Sequence, residues 1–206
     1  KEDELKKIGE GILAEKPRGS EVRYWEDVEV GEELPPVIKG PFGMTDEIAF
    51  MVGSGAAPML ANELAVQLYH DHPAWGFRDP DTHAMEPAVG VHWNIHAANS
   101  AGLPLQYDIG VQRQSYLMHL LTNWMGDEGW LKTNYAEYRK FFYYSDVIWL
   151  RGKVTKKYVD EHGEYCVDIE TTCFNQRGED TMPGRATVIL PSRNAGTWPV
   201  EKRLPK

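Results

Sequence analysis

Residues 83–104 read HAMEPAVGVHWNIHAANSAGLP, three histidines and one glutamate set in a small, apolar run. The chain holds seven histidines in all, so this density marks a place to look for chemistry. A neutral imidazole beside a carboxyl can take a proton from water and return one to carbon, provided their surroundings hold the two pKa values apart. His92 and Glu86 form the pair that fits this role. The plainer alternatives are a core histidine held by a hydrogen bond and a solvated acid near a loop end. His96 falls four residues after His92, which puts the two on one face if the run is helical.

Other chemistries find less to stand on. His70, Asp71 and His72, with His83 and His92, raise a metal site, but HDH has no recognised spacing to a third ligand. No metal and no cofactor is therefore expected. Neither Ser54 nor Ser115 sits in a Gly-x-Ser-x-Gly elbow, and no Gly-x-Gly-x-x-Gly phrase is present.

Composition narrows the partners. Net charge is −9 and the isoelectric point is near 5.3, which argues against a nucleic-acid or anionic-membrane surface. No apolar run approaches the roughly eighteen residues of a membrane span. The opening KEDELKKIGEGILAEK is charged and carries no secretory h-region. Cys166 and Cys173 lie seven apart in what reads as one strand, too far along an extended chain to bridge. A cytoplasmic protein is the expectation. At 206 residues and 42% apolar, with ten Tyr, six Phe and seven Trp, the chain can bury one substantial core.

The elements that must position the histidines can be read in order. An amphipathic helix occupies the first 20 or so residues and breaks at KPRGS. Val37 to Met44 is extended, and Thr45 offers an N-cap to DEIAFMVGSG, which has acids in its first turn. A second helix is expected from Pro58, and HPAWGFRDPDTHAMEP reads as an inserted loop. The strongest helix is VQRQSYLMHLLTNWMG, residues 111–126. There Tyr116, Leu117, Leu120, Leu121 and Trp124 recur at helical spacing, Gly126 closes the run, and His119 reads as structural. After Gly129 come four strand candidates, LKTNYAEYRKFFYY, DVIWLRGKVTKKYV, EYCVDIETTCFNQ and RATVILP, with DEHGEY and NQRGED as hairpin turns. In the third, Tyr165, Val167, Ile169, Thr171 and Cys173 share one face. The reading is α+β, an antiparallel sheet wrapped around a long central helix.

These phrases, in this order, resemble the MaoC-like hydratases and dehydratases. RYWEDVEVGEELPPVIKGPFGMTDEIAFMVGSG is similar to that family's opening. SDVIWLRGKV is similar to its Gly-Asp-x-x-x-x-x-Gly-x-Val strand, with Ser145 in place of Gly. NQRGEDTMPGRATVILP is similar to its closing strand. The resemblance spans residues 23 to 192 and implies a hot-dog fold over 23–206, with residues 1–22 as a helical extension and about 59–90 as an insertion. The family's Asp-x-Asn-Pro-x-His motif is missing where GSGAAPML stands. VHWNIHAANSAGLP, however, is similar to the segment that carries the family's histidine, which places His92 in that role. The acid should then lie five residues upstream, where Pro87 stands; Glu86 is one position further back.

The resemblance implies acid–base addition or removal of water at an enoyl or 3-hydroxyacyl-CoA thioester. Amides of Gly110, Val111, Gln112, Arg113 and Gln114, at the start of the long helix, would receive the developing oxyanion. Arg113 would hold a carboxylate or phosphate of the substrate, or simply pair with Asp108. Two further readings stay open: a non-catalytic hot-dog subunit that binds acyl-CoA beside a catalytic partner, and a thioesterase on the same fold. A homo-oligomer, or a hetero-oligomer with another hot-dog subunit, is expected because a single sheet leaves its edges open.

Overall fold

The computed structural model describes residues 1–55 and 62–200. In chain order its elements are α1 (Glu2–Leu13), β1 (Val37–Lys39), α2 (Met44–Gly53), α3 (Glu63–Asp71), β2 (Gly76–Arg78), β3 (Met85–Pro87), α4 (Ile95–Ser100), α5 (Gly110–Met125), β4 (Trp130–Ala136), β5 (Ile148–Val159), β6 (Tyr165–Asn175) and β7 (Gly184–Ile189). They divide into two compact units. One contains residues 1–39, 113–140 and 147 onward; the other contains 40–112 and 141–146.

The first unit is built on a sheet of order β1-β5-β6-β7-β4, antiparallel at every pairing. Alternation along β6 sorts its faces as the sequence implies: Val167, Ile169, Thr171 and Cys173 are buried while Glu170 is exposed. The apolar stripe of α5, Leu117, Leu120 and Leu121, is fully buried, as are Ile148, Leu150 and Val188 of the strands. Burying each such side chain contributes about 1.5–3 kcal/mol, which is why the helical period was so readable. β4 and β7 approach closely at Gly184, where a Cβ would lie 2.4 Å from the Tyr135 carbonyl oxygen. The segment after α1 is tied into the same unit. The Trp25 amide donates to the Pro191 carbonyl at 2.9 Å, and its indole donates to the Cys166 carbonyl at 3.0 Å.

Two expectations change here. Among the described residues the sheet has five strands, because Val37–Lys39 pairs with β5; three residues are too few to show alternation. The strand expected through Tyr144 stops at Ala136. Its aromatic remainder leaves the sheet and belongs to the second unit.

That second unit is organised around the returning segment 141–146. Phe142 is fully buried and stacks on Phe42, centroids 4.8 Å apart, and Tyr144 meets Phe42 edge-on at 5.3 Å. Backbone bonds hold it on two sides. Phe42 donates to Asp146 and Ser145 donates back to Phe42, while Asp108 donates to Phe142 and Tyr144 to Gln106. α2 starts two residues earlier than an N-cap at Thr45 would set it. Gly43 is its N-cap, and the Asp46 carboxylate, three residues on, accepts from the Gly43 amide at 3.0 Å. The helix start expected at Pro58 lies outside the described residues. From Asn62 onward α3 is capped by that side chain, which accepts from the Ala65 amide at 2.9 Å. The stretch read as a loop contains a small hairpin, β2 against β3, with Phe77 opposite Glu86.

Candidate active site

His92 closes a 3-10 turn, Ala88–His92, and so does not share a helix with His96, which lies in α4. Asn94 separates them. Its carboxamide oxygen caps α4 by accepting from the His96 and Ala97 amides, and its nitrogen donates to Asp79 at 2.6 Å. Asp79 also accepts from the Asp81 and Thr82 amides, and this set of donors holds its carboxyl down to about 2. His96 turns to Asp81, 2.8 Å away. These bonds join residues 79–82 to 94–97, the segments on either side of His92.

The imidazole has a defined orientation. Its Nδ1 lies 2.9 Å from the Tyr107 carbonyl oxygen. A carbonyl only accepts, so Nδ1 carries the proton and Nε2 of the neutral ring presents a lone pair. The Tyr107 ring meets the imidazole edge-on at 4.5 Å, and Phe141 meets Tyr107 edge-on at 4.7 Å. Burial in this aromatic setting pushes the His92 pKa below the usual histidine value, with the Tyr107 carbonyl opposing it. Burial, reinforced by Asp108 and Tyr143, raises the Tyr107 phenol.

Glu86 is placed otherwise. It sits half-buried on β3, and its charge is felt by Tyr69 of α3. Among the described residues no hydrogen bond or ion pair joins it to His92. At the start of α5, Gly110, Val111 and Gln112 belong to the unit that holds His92. Val111 is exposed, and Gln112 is buried with its carboxamide donating to the Asp46 carbonyl at 3.1 Å. Arg113 and Gln114 belong to the other unit. Arg113 is buried, donates to the Lys140 carbonyl at 2.8 Å and lies over the Tyr138 ring. Gln114 accepts from the Tyr138 hydroxyl at 2.8 Å. The remaining histidines of the metal pattern are spread out: His70 meets Asp71, and His72 stacks on Trp75. His119 pairs with Glu15 at 2.7 Å. Among the described residues no three His, Cys, Asp or Glu side chains gather to hold a metal, and no helix is long and apolar enough to cross a membrane.

Two acids that the sequence does not single out for the site lie in the same unit as His92. Asp108 follows Tyr107 directly, and Glu47 of α2 is fully buried. Burial raises the Glu47 carboxyl to about 7, the Asp108 charge adds to the rise, and the Ile109 amide pulls back. Among the described residues neither Glu47 oxygen has a partner in hydrogen-bonding geometry. Among first-turn acids it reads as a solvated dipole partner. The signal that it is not lies in its spacing, four residues before the buried Met51.

No family model and no curated protein matches the chain. Solved structures do. The (R)-hydratase from A. caviae involved in PHA biosynthesis is 18% identical, with TM-score 0.58 over 81% of this chain and 99% of its own. A MaoC-like dehydratase from Rhodospirillum rubrum is 14% identical, TM-score 0.56, over 82% and 96%. The ChsH1–ChsH2 complex from Mycobacterium tuberculosis is 14% identical, TM-score 0.54, over 79% and 98%. The chain therefore has the hot-dog fold, the α+β arrangement expected from its sequence.

Proposed function

We propose that this hot-dog chain is a hydratase or dehydratase acting on an enoyl or 3-hydroxyacyl-CoA thioester, with His92 as its base. One observation carries the reading. The Tyr107 carbonyl holds Nδ1–H, and burial keeps the ring neutral, so Nε2 is available to accept a proton near neutral pH. In hydration, Nε2 takes a proton from water as the water oxygen bonds to C3. The C2–C3 π electrons move toward the thioester carbonyl, and an acid delivers a proton to C2. Glu86 is the proposed acid, and the Gly110 amide at the start of α5 would stabilise the enolate oxygen, the Gln112 amide being engaged by the Ile109 carbonyl at 2.8 Å. The same steps reversed remove water.

A second reading has its own support. Because Glu86 makes no bond to His92, the chain also suits a subunit that binds acyl-CoA beside a catalytic partner. Purified chain assayed alone against a panel of enoyl-CoA thioesters separates the two. Hydration that drops about a hundredfold or more in His92→Ala, with folding intact, is the expected result. No activity from the chain alone, restored by a second hot-dog subunit and indifferent to His92→Ala, would establish the partner reading instead.

A further inference from the structure

Asp168 stands on β6, the middle strand of the sheet, and aspartate is among the residues that strands disfavour. It alternates with the buried Val167 and Ile169, so it belongs to the opposite face, with Glu170 and Thr172. Its partners there are hydroxyls. Oδ1 accepts from the Thr187 hydroxyl at 2.8 Å and from the Tyr158 hydroxyl at 3.2 Å. The Thr155 hydroxyl donates to the Asp168 carbonyl at 3.2 Å. Among the described residues nothing bonds Oδ2, and no cation lies within ion-pair distance of the carboxylate. A carboxylate and a carbonyl only accept, so all three hydroxyl protons point inward. Burial, and after it the Asp168 charge, pushes the Tyr158 phenol up, which keeps its proton in place. Outward, Tyr158, Thr187 and Oδ2 therefore offer lone pairs.

These groups line a groove of about 580 Å³ that crosses β4, β7, β6 and β5, a size within the range of small-molecule sites. The other charges along it have their own company. Glu137 pairs with Arg139, and Glu170 stands between Lys153 and Arg185 in cross-strand register. Arg185 lies over the Tyr135 ring at 4.2 Å, and Lys156, opposite Asp168, lies over the Tyr158 ring at 4.5 Å. Each of these two rings already carries a cation of the chain, which leaves the Asp168 cluster, and not a stacking surface, to recognise a ligand. We propose that the groove binds a small primary ammonium ion, whose N–H donors are received by Asp168 Oδ2, Tyr158 Oη and Thr187 Oγ1. Both hydroxyl oxygens lie within 3.2 Å of one Asp168 oxygen, so the three acceptors cluster about a single carboxylate. A compact –NH₃⁺ group matches that cluster, whereas a planar guanidinium fork spreads its donors wider. A neutral polyol needs donors where these groups have none to give. The site lies wholly within the unit that contains the sheet and does not depend on the role of His92.

The test titrates butylammonium chloride into the isotopically labelled full chain at neutral pH and constant ionic strength, following backbone amide signals by NMR. Tetramethylammonium chloride, an equal charge without N–H donors, is titrated in parallel. Saturable shifts confined to β5, β6 and β7 around Asp168 with butylammonium, and none with tetramethylammonium, are the expected result. Equal responses to the two ions, or shifts that never saturate, overturn the proposal, because charge alone then explains them. Asp168→Asn should weaken butylammonium binding by about tenfold or more, the scale of losing a charge-assisted hydrogen bond. Unchanged affinity in that variant overturns the assignment of Asp168. If Asp168→Asn does not fold, the comparison of the two ions in the wild type decides alone. Sedimentation of the same variant tests the other source of an ammonium, a lysine of a second copy. A species of wild-type size supports the small-ligand site; a smaller one makes the groove an interface between copies and overturns it.

Discussion

Replacing Glu47 by Gln should change how the stability of the chain depends on pH, and the size of the change can be worked out. The carboxyl is held at about 7 in the folded chain against an ordinary value of 4.5. A folded-state pKa above the unfolded one means that stability is fully present below 4.5 and is lost as pH rises through 7. At about 1.4 kcal/mol per pH unit the loss reaches about 3 kcal/mol by pH 8, most of it already gone at neutrality. Gln has no proton to lose. The stability difference between variant and wild type should therefore shift by about 3 kcal/mol in favour of Gln between pH 4.5 and pH 8. In a domain of this length that corresponds to about 6–12 °C in melting temperature. Glu26, Asp79, Asp160 and Glu179, each held at about 2 by hydrogen bonds, act in the opposite sense. Their stabilisation is present above the ordinary carboxyl range and is lost as pH falls through 2. They are common to both proteins and cancel in the difference. Urea unfolding at half-unit steps of pH is the measurement. Parallel curves from pH 4.5 to pH 8 would refute the assignment of a buried, unpaired acid.

Two further outcomes can be checked with simple variants or none. Gly184→Ala pushes a methyl against the Tyr135 carbonyl and to within 2.8 Å of the Thr171 hydroxyl, and should cost about 1–3 kcal/mol in urea unfolding; an unchanged midpoint would mean that β4 and β7 can separate there. The chain should sediment as a species larger than 23.4 kDa, because Met44, Ile48 and Val52 repeat every four residues on α2 and are 50%, 42% and 62% exposed. A lone monomer at assay concentration would contradict this.

What could be read in the sequence follows the length of each signal. α5 shows four turns of apolar period, and β5 and β6 run for twelve and eleven residues, so the central helix and the sheet around it announce themselves. β1, β2 and β3 have three residues each, and no periodicity survives in so short a run. FFYY, residues 141–144, misleads for a different reason. Its aromatics suit a strand, yet Phe142 and Tyr144 are used to pack on Phe42. The His92 anchor has the same limit. The imidazole is visible in the sequence, but the Tyr107 carbonyl, fifteen residues on, is a backbone group that any residue type would supply. Glu47 was hidden by its company, since acids in a first helical turn are usually solvated.

The interleaving of the two units sets a schedule for synthesis. Residues 40–112 lack the Phe142 and Tyr144 rings that complete their packing until 146 has been made. The first 39 residues wait longer, because the Trp25 amide bonds to Pro191 and Val37 pairs with Leu150. At about 5–20 residues per second, the roughly 113 residues between Val37 and Leu150 take about 6–23 s to emerge. Through that interval Val28, Leu34 and Val37, all buried in the finished chain, have no native partner strand to cover them. The apolar cluster at residues 28–37 thus stays open until β5 emerges, and β7, the last of these strands in chain order, is what joins β4 to the sheet.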